Sequence, residues 1–92
     1  MIQSFRCKPT QALYEGRSPE RFKAIETVTT RKLAMLVAAA TLGFLRSLPG
    51  NRLEALRGDR AGQWSIRVND LWRLCFVWTE AGPADVESVD YQ

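Results

Sequence analysis

Residues 62–78 read "GQWSIRVNDLWRLCFVW", two alternating runs around a turn. Trp64, Ile66 and Val68 form one apolar stripe, and Trp72, Leu74, Phe76 and Trp78 form the other. Alternation of this kind marks half-buried β-strands. The turn decides the fold, because a slip of one residue carries a whole stripe to the opposite face. A two-residue turn at Asn69-Asp70 sets Ile66 opposite Arg73 and splits the stripes. A three-residue loop, Asn69 to Leu71, sets Val68 opposite Trp72 and Ile66 opposite Leu74. That register gives all seven large side chains one face and one core. The other face then carries Ser65, Arg67, Arg73 and Cys75, with Arg67 directly across from Arg73. Like charges placed so repel by roughly a few tenths of a kcal/mol unless an anion lies between them. A phosphate suits that position.

Immediately upstream, "RLEALRGDRAG" supplies Arg52, Glu54, Arg57, Asp59 and Arg60. If "RLEAL" is a strand, Arg52 and Glu54 share a face and Leu53 points the other way. Taken alone, the stretch reads as a solvated edge with a salt bridge or two. Joined to the hairpin it suggests more. A carboxylate and several arginines, with a tyrosine at the chain end and no exposed aromatic platform, resemble a small acid/base site on RNA more than a passive RNA-binding face.

The first half reads as helical. "MIQSF" suggests a short opening strand. In "PTQALYEG", Thr10 is a candidate cap and Gly16 a stop. Ser18 is placed to cap a second stretch, with Pro19 at its first position. From Ala24 to about Ala40 nothing breaks a helix, and Leu33, Leu36, Val37 and Ala40 fall on one face. Met35, Ala38, Ala39 and Leu42 leave the end of this helix apolar nearly all round. That excess is either a partner surface or alanines tolerated in solvent. "LPGN" ends the helical half, and the expected class is α+β: one domain over residues 1–92, with a small, mainly antiparallel sheet packed against N-terminal helices.

Composition narrows the chemistry. Ninety-two residues, 46% hydrophobic and 25% charged, suit one folded domain. The start lacks the pattern of a secretory signal, and "LAMLVAAA" is too short to span a bilayer, so a cytoplasmic address and no membrane partner are expected. Cys7 and Cys75 are expected to be reduced. There is no histidine, which removes a histidine base and any histidine-ligated metal. The net charge of +3 conceals an uneven distribution, since residues 74–92 hold four acids and no base. Ten of the thirteen bases are arginine, the residue whose planar fork suits phosphate. An anionic partner and mere solubility both account for the excess.

The block "PGNRLEALRGDRAGQWSIRVND", then "WRLCF" and a last strand ending "VDY", resembles the HigB toxins, and among them the GraT-like branch, of the RelE/ParE superfamily of type II toxin-antitoxin systems. "MI.SFRC" and "RKLAML" fit as well, so the resemblance covers nearly the whole chain. It implies a RelE-like fold and a metal-free, cofactor-free endoribonuclease that cuts mRNA in the ribosomal A site. It also implies a HigA-like helix-turn-helix antitoxin, through which alone operator DNA is bound. Such a nuclease makes the RNA 2′-OH the nucleophile and needs a base, a cation for the developing phosphorane charge and an acid.

By resemblance, Arg73 is the charge stabiliser and Arg57 contacts the RNA backbone, joined by Arg52, Arg60 and Arg67. Glu54 falls where some relatives carry a catalytic histidine. Asp90 and Tyr91 match the terminal "DY", Tyr91 orienting or protonating and Asp90 positioning or accepting a proton. The family's strand commonly ends "VDYH", whereas this chain has Gln92, which hydrogen-bonds but does not shuttle a proton near neutral pH. Gln92 thus implies an engineered detoxification or a natural attenuation. Ser88 and Leu71 also depart from the family's pattern. Two alternatives stay open, a ParE-like inhibitor of DNA gyrase and a binding-only toxin. The loop "EAGPAD" leaves the last strand's register, and so the face of Asp90, undecided.

Overall fold

The computed structural model describes residues 1–90; Tyr91 and Gln92 lie outside the described residues. Helices occupy the first half: α1 (Lys8–Tyr14), a 3₁₀ segment (Glu20–Ile25), α2 (Glu26–Ala38) and α3 (Leu42–Ser47). The second half folds into β1 (Glu54–Ala55), β2 (Gln63–Arg67), β3 (Trp72–Thr79) and β4 (Gly82–Asp90), with a 3₁₀ turn at Gly58–Arg60. The four strands pair antiparallel in the order β1-β2-β3-β4. The class is α+β, as expected.

The hairpin has the three-residue register. Ile66 pairs with Leu74 and Arg67 with Arg73, and the Val68 N–H donates to the Trp72 carbonyl at 3.0 Å. In the loop, Asn69 Oδ1 accepts the backbone N–H groups of Leu71 and Trp72, each at 2.8 Å, which closes the turn on its own side chain. All seven stripe residues meet the core as expected. Ile66, Val68, Leu74 and Phe76 are buried with Leu13, Phe22, Ile25, Leu33, Leu36 and Leu45, and the three tryptophans pack at the margin.

Several local expectations are corrected. Thr10 is not a cap. The helix begins earlier, at Lys8, because Pro9 fits a first turn where its missing N–H costs nothing. Thr10 is thereby enclosed, and its hydroxyl accepts the Ser88 N–H at 3.0 Å, tying α1 to β4. Ser18 caps nothing either. Pro19 is the residue before a 3₁₀ segment, whose buried Phe22 and Ile25 stand three apart, the spacing of that helix. The long helix ends at Ala38, leaving Ala40 exposed, and Thr41 Oγ1 caps a separate α3 by accepting the Phe44 N–H at 3.1 Å. "MIQSF" forms a single parallel bridge, Phe5 with Val86, beyond the edge of β4. No helix among the described residues is long and apolar enough to cross a membrane.

A bulge in β4 sets where the strand end goes. Cys75 pairs with Glu87 but Val77 pairs with Ala84, so β4 carries an extra residue opposite Phe76. Asp85 takes φ 50° there, and its backbone N–H donates to Ser4 Oγ at 2.9 Å.

Candidate functional site

The sheet face turned away from the helices is built from two cross-strand rows. Glu54, Ser65, Cys75 and Glu87 form one, and Arg67, Arg73 and Val89 the other. Ser65 and Cys75 are fully buried, so this polar face has a closed floor. Burial, the largest influence, pushes the Cys75 thiol up from its ordinary 9.0, and nearby Arg60 and Arg73 oppose that less strongly. A thiol so placed is held protonated at neutral pH and is no nucleophile.

Arg73 is half-buried. Its Nε donates to Ser65 Oγ at 2.8 Å and its Nη2 to the Arg52 carbonyl at 2.7 Å. Arg52 itself is in the left-handed region, φ 46°. This breaks the strand alternation expected of "RLEAL": β1 is confined to Glu54–Ala55, and the Arg67 N–H reaches past Arg52 to the Asn51 carbonyl at 2.6 Å. The left-handed backbone at Arg52 is where the carbonyl that Arg73 meets is presented. The expected clash of Arg67 with Arg73 is relieved within the chain, because Arg67 Nη2 donates to Asp70 Oδ1 at 2.5 Å. Asp70, an exposed loop residue, supplies an anion to Arg67.

Next to Arg52 in the chain, Asn51 is fully buried and joins three elements. Its Oδ1 accepts from Lys32 Nζ at 2.5 Å and its Nδ2 donates to the Leu45 carbonyl at 3.1 Å. The Lys32 ammonium is held below its ordinary 10.5, by burial first and then by Arg31 and Arg67.

Along β1 and the turn that follows it, an open pocket of ≈ 480 Å³ is lined by Glu54, Ala55, Leu56, Arg57 and Arg60. Glu54 and Arg57 are exposed at its rim. Arg60 is engaged, its Nη1 donating to Gln63 Oε1 at 3.1 Å and to Glu87 Oε1 at 3.0 Å, while Arg6 Nε approaches the same carboxylate at 3.8 Å. The structure thus brings Glu54, Arg67 and Arg73 to one face, with Arg60 joined to Glu87 of that face and Arg57 lining the pocket beside Glu54, whereas Arg52 meets Arg73 through its backbone carbonyl. It does not bring Asp90 there. Asp90 pairs with Trp72, so its row faces the helix side, opposite that of Arg73. Tyr91 and Gln92, named as site residues from sequence, lie outside the described residues. Sequence reasoning missed Asn51, which looked like part of a chain break, and the carboxylates of Asp70 and Glu87, whose partners follow only from the register. Among the described residues, no three His, Cys, Asp or Glu side chains cluster as metal ligands.

The arrangement offers a fixed guanidinium, a carboxylate at a pocket rim and cations on several sides. It can stabilise negative charge developing on a phosphate and accept a proton from a hydroxyl next to it. Residues 3–92 match the family model described as the RelE-like toxin of the type II toxin-antitoxin system HigB. Toxin HigB-1 of Vibrio cholerae serotype O1 is 40% identical over 82 residues, which cover 87% of this chain and 86% of that toxin. Valine–tRNA ligases of two Stenotrophomonas maltophilia strains are 32% identical over 83 residues, covering 80% of this chain and 9% of each ligase.

Proposed function

The chain belongs to the HigB family of RelE-like toxins of type II toxin-antitoxin systems, a class whose members have an antitoxin partner, and we propose that it is a ribosome-dependent, metal-free mRNA endoribonuclease. The observation that carries this reading is the fixing of Arg73 by Ser65 and the Arg52 carbonyl on the same sheet face as Glu54, which lines a pocket with Arg57 and Arg60. In the proposed reaction the 2′-OH attacks the adjacent phosphorus and the bond to the 5′-oxygen breaks. Glu54 takes the 2′-OH proton, and Arg73 stabilises charge on the non-bridging oxygens. Arg57 and Arg52 hold the backbone, with Arg60 and Arg67 behind them. Tyr91 orients or protonates the leaving oxygen, and Asp90 positions the strand end from the other side of the sheet. Gln92 cannot complete the proton transfer and attenuates this copy. The partners on this reading are the A site with its mRNA and a HigA-like antitoxin that carries operator DNA, all in the cytoplasm.

Primer extension on cellular mRNA, comparing this chain with its Gln92→His form, tests the reading. In-frame cuts that appear or strengthen in the Gln92→His chain, and vanish with Arg73→Ala, are expected. No cuts from either chain, with DNA supercoiling disturbed instead, would establish the gyrase alternative. Growth inhibition with neither effect would leave a binding-only toxin.

A further inference from the structure

We propose that Ser65 is a positioning residue for Arg73, acting with the Arg52 carbonyl to hold the guanidinium in the one orientation that serves the phosphate; this rests on the ribonuclease reading above. Ser65 is fully buried in the middle of β2, between Glu54 on one neighbouring strand and Cys75 on the other. A buried strand position is ordinarily filled by an apolar side chain, and a hydroxyl there must find a partner. Its partner is Arg73 Nε at 2.8 Å. The second anchor, 2.7 Å from Nη2, is a backbone oxygen presented by a residue in the left-handed region, a conformation that non-glycine residues rarely adopt.

Nε and Nη2 lie on one edge of the planar fork, so two bonds to that edge fix both the direction and the rotation of the plane. Ser65 Oγ and the Arg52 carbonyl are both neutral oxygens, so these two bonds set the orientation of the guanidinium rather than its charge. The edge best suited to side-on chelation of an oxyanion is therefore committed to the protein at Arg73, and Ser65 sets the plane in which the guanidinium meets a phosphate.

The test uses the full chain and its Gln92→His form on ribosomes programmed with a defined mRNA, under single-turnover conditions. Ser65→Ala is expected to slow cleavage roughly tenfold with the half-saturating toxin concentration unchanged. Ser65→Thr, which keeps the hydroxyl, is expected to restore most of the rate. In an Arg73→Ala background, Ser65→Ala is expected to add nothing, because the two act as one unit. In parallel, the Arg73 Nε–H resonance is expected to exchange slowly with solvent in the parent and fast in Ser65→Ala. Cleavage that needs Arg73 but ignores Ser65→Ala overturns the positioning role alone, as does fast Nε–H exchange in the parent. If Ser65→Ala does not fold, the parent exchange and the Ser65→Thr rate decide. Absence of cleavage by both chains overturns the ribonuclease reading and this role with it.

Discussion

Asn51 shows what a residue-by-residue reading of sequence reaches and what it does not. In "LPGN" it has the composition of a turn, and nothing local says that its side chain will be buried between α2 and α3. Its partners, Lys32 and the Leu45 carbonyl, become visible only once the helices pack. Asn51→Ala leaves the Lys32 ammonium without that acceptor, and a buried charge losing its partner is costly. A loss of about 3 kcal/mol in urea unfolding is expected; a loss below about 1 kcal/mol would mean that Lys32 swings out to water. Cys75 was legible as a polar-face residue, but its burial was not, since that depends on how β2 and β4 flank it in the sheet. Because burial raises the folded thiol above its ordinary 9.0, the unfolded chain releases this proton first, and stability falls as pH climbs past 9.0. Lys32 works in the opposite sense. Its folded value is lowered from 10.5, so the unfolded chain holds the proton longer and stability rises over the interval below 10.5. The two windows overlap, so the thiol is isolated by difference. The stability of Cys75→Ala relative to the parent is expected to be constant below pH 8 and to improve steadily between pH 9 and 10.

At the scale of elements, alternation was the signal that transferred. The hairpin register followed from requiring two stripes to share a core, and the observed pairs Ile66 with Leu74 and Arg67 with Arg73 obey it. Helix boundaries transferred less well, because Pro9 drew α1 back to Lys8 and the 3₁₀ segment has a period that an α-helical template does not detect. The face of Asp90 was illegible for a definite reason. One extra residue at the Asp85 bulge shifts the rest of β4 by one, and the bulge exists to receive the backbone of Ser4 and Phe5, far away in sequence. The same docking accounts for Gly82. Its φ is +125°, and a Cβ built there would stand 2.4 Å from the Met1 carbonyl oxygen, a backbone atom that cannot step aside cheaply. Gly82→Ala combines conformational strain with displacement of the first residues, whose ammonium donates to the Val37 carbonyl at the end of α2 at 2.8 Å. A loss of about 2 kcal/mol is expected in thermal or urea unfolding, with faster amide exchange confined to residues 1–6 and the Thr79–Gly82 turn. Unchanged stability would show that the N-terminal segment is not held by β4.

Across the whole molecule, the uneven charge noted in the sequence is partly cancelled where the strands meet. The acidic last strand returns Glu87 to Arg60 and Arg6, and the hairpin loop returns Asp70 to Arg67. Six arginines share the middle of the chain, yet they are not equivalent toward an anion. Arg57 is exposed at the pocket rim, whereas Arg60 is already neutralised by a carboxylate whose side chain is only 18% exposed. Counting bases therefore overstates the charge available to RNA. Binding to a single-stranded RNA oligonucleotide, measured over a series of KCl concentrations, separates the two kinds of arginine. Each phosphate neutralised on a single strand contributes about 0.7 to the slope of log K against log salt. Arg57→Ala is expected to lower the slope by about that amount with little change in stability. Arg60→Ala is expected to leave the slope nearly unchanged and to destabilise the fold, since Glu87 then loses its nearest cation in a half-closed site. Equal slope changes for both variants would mean that Arg60 exchanges Glu87 for phosphate on binding, and the face would then carry one more RNA contact than its unbound geometry presents.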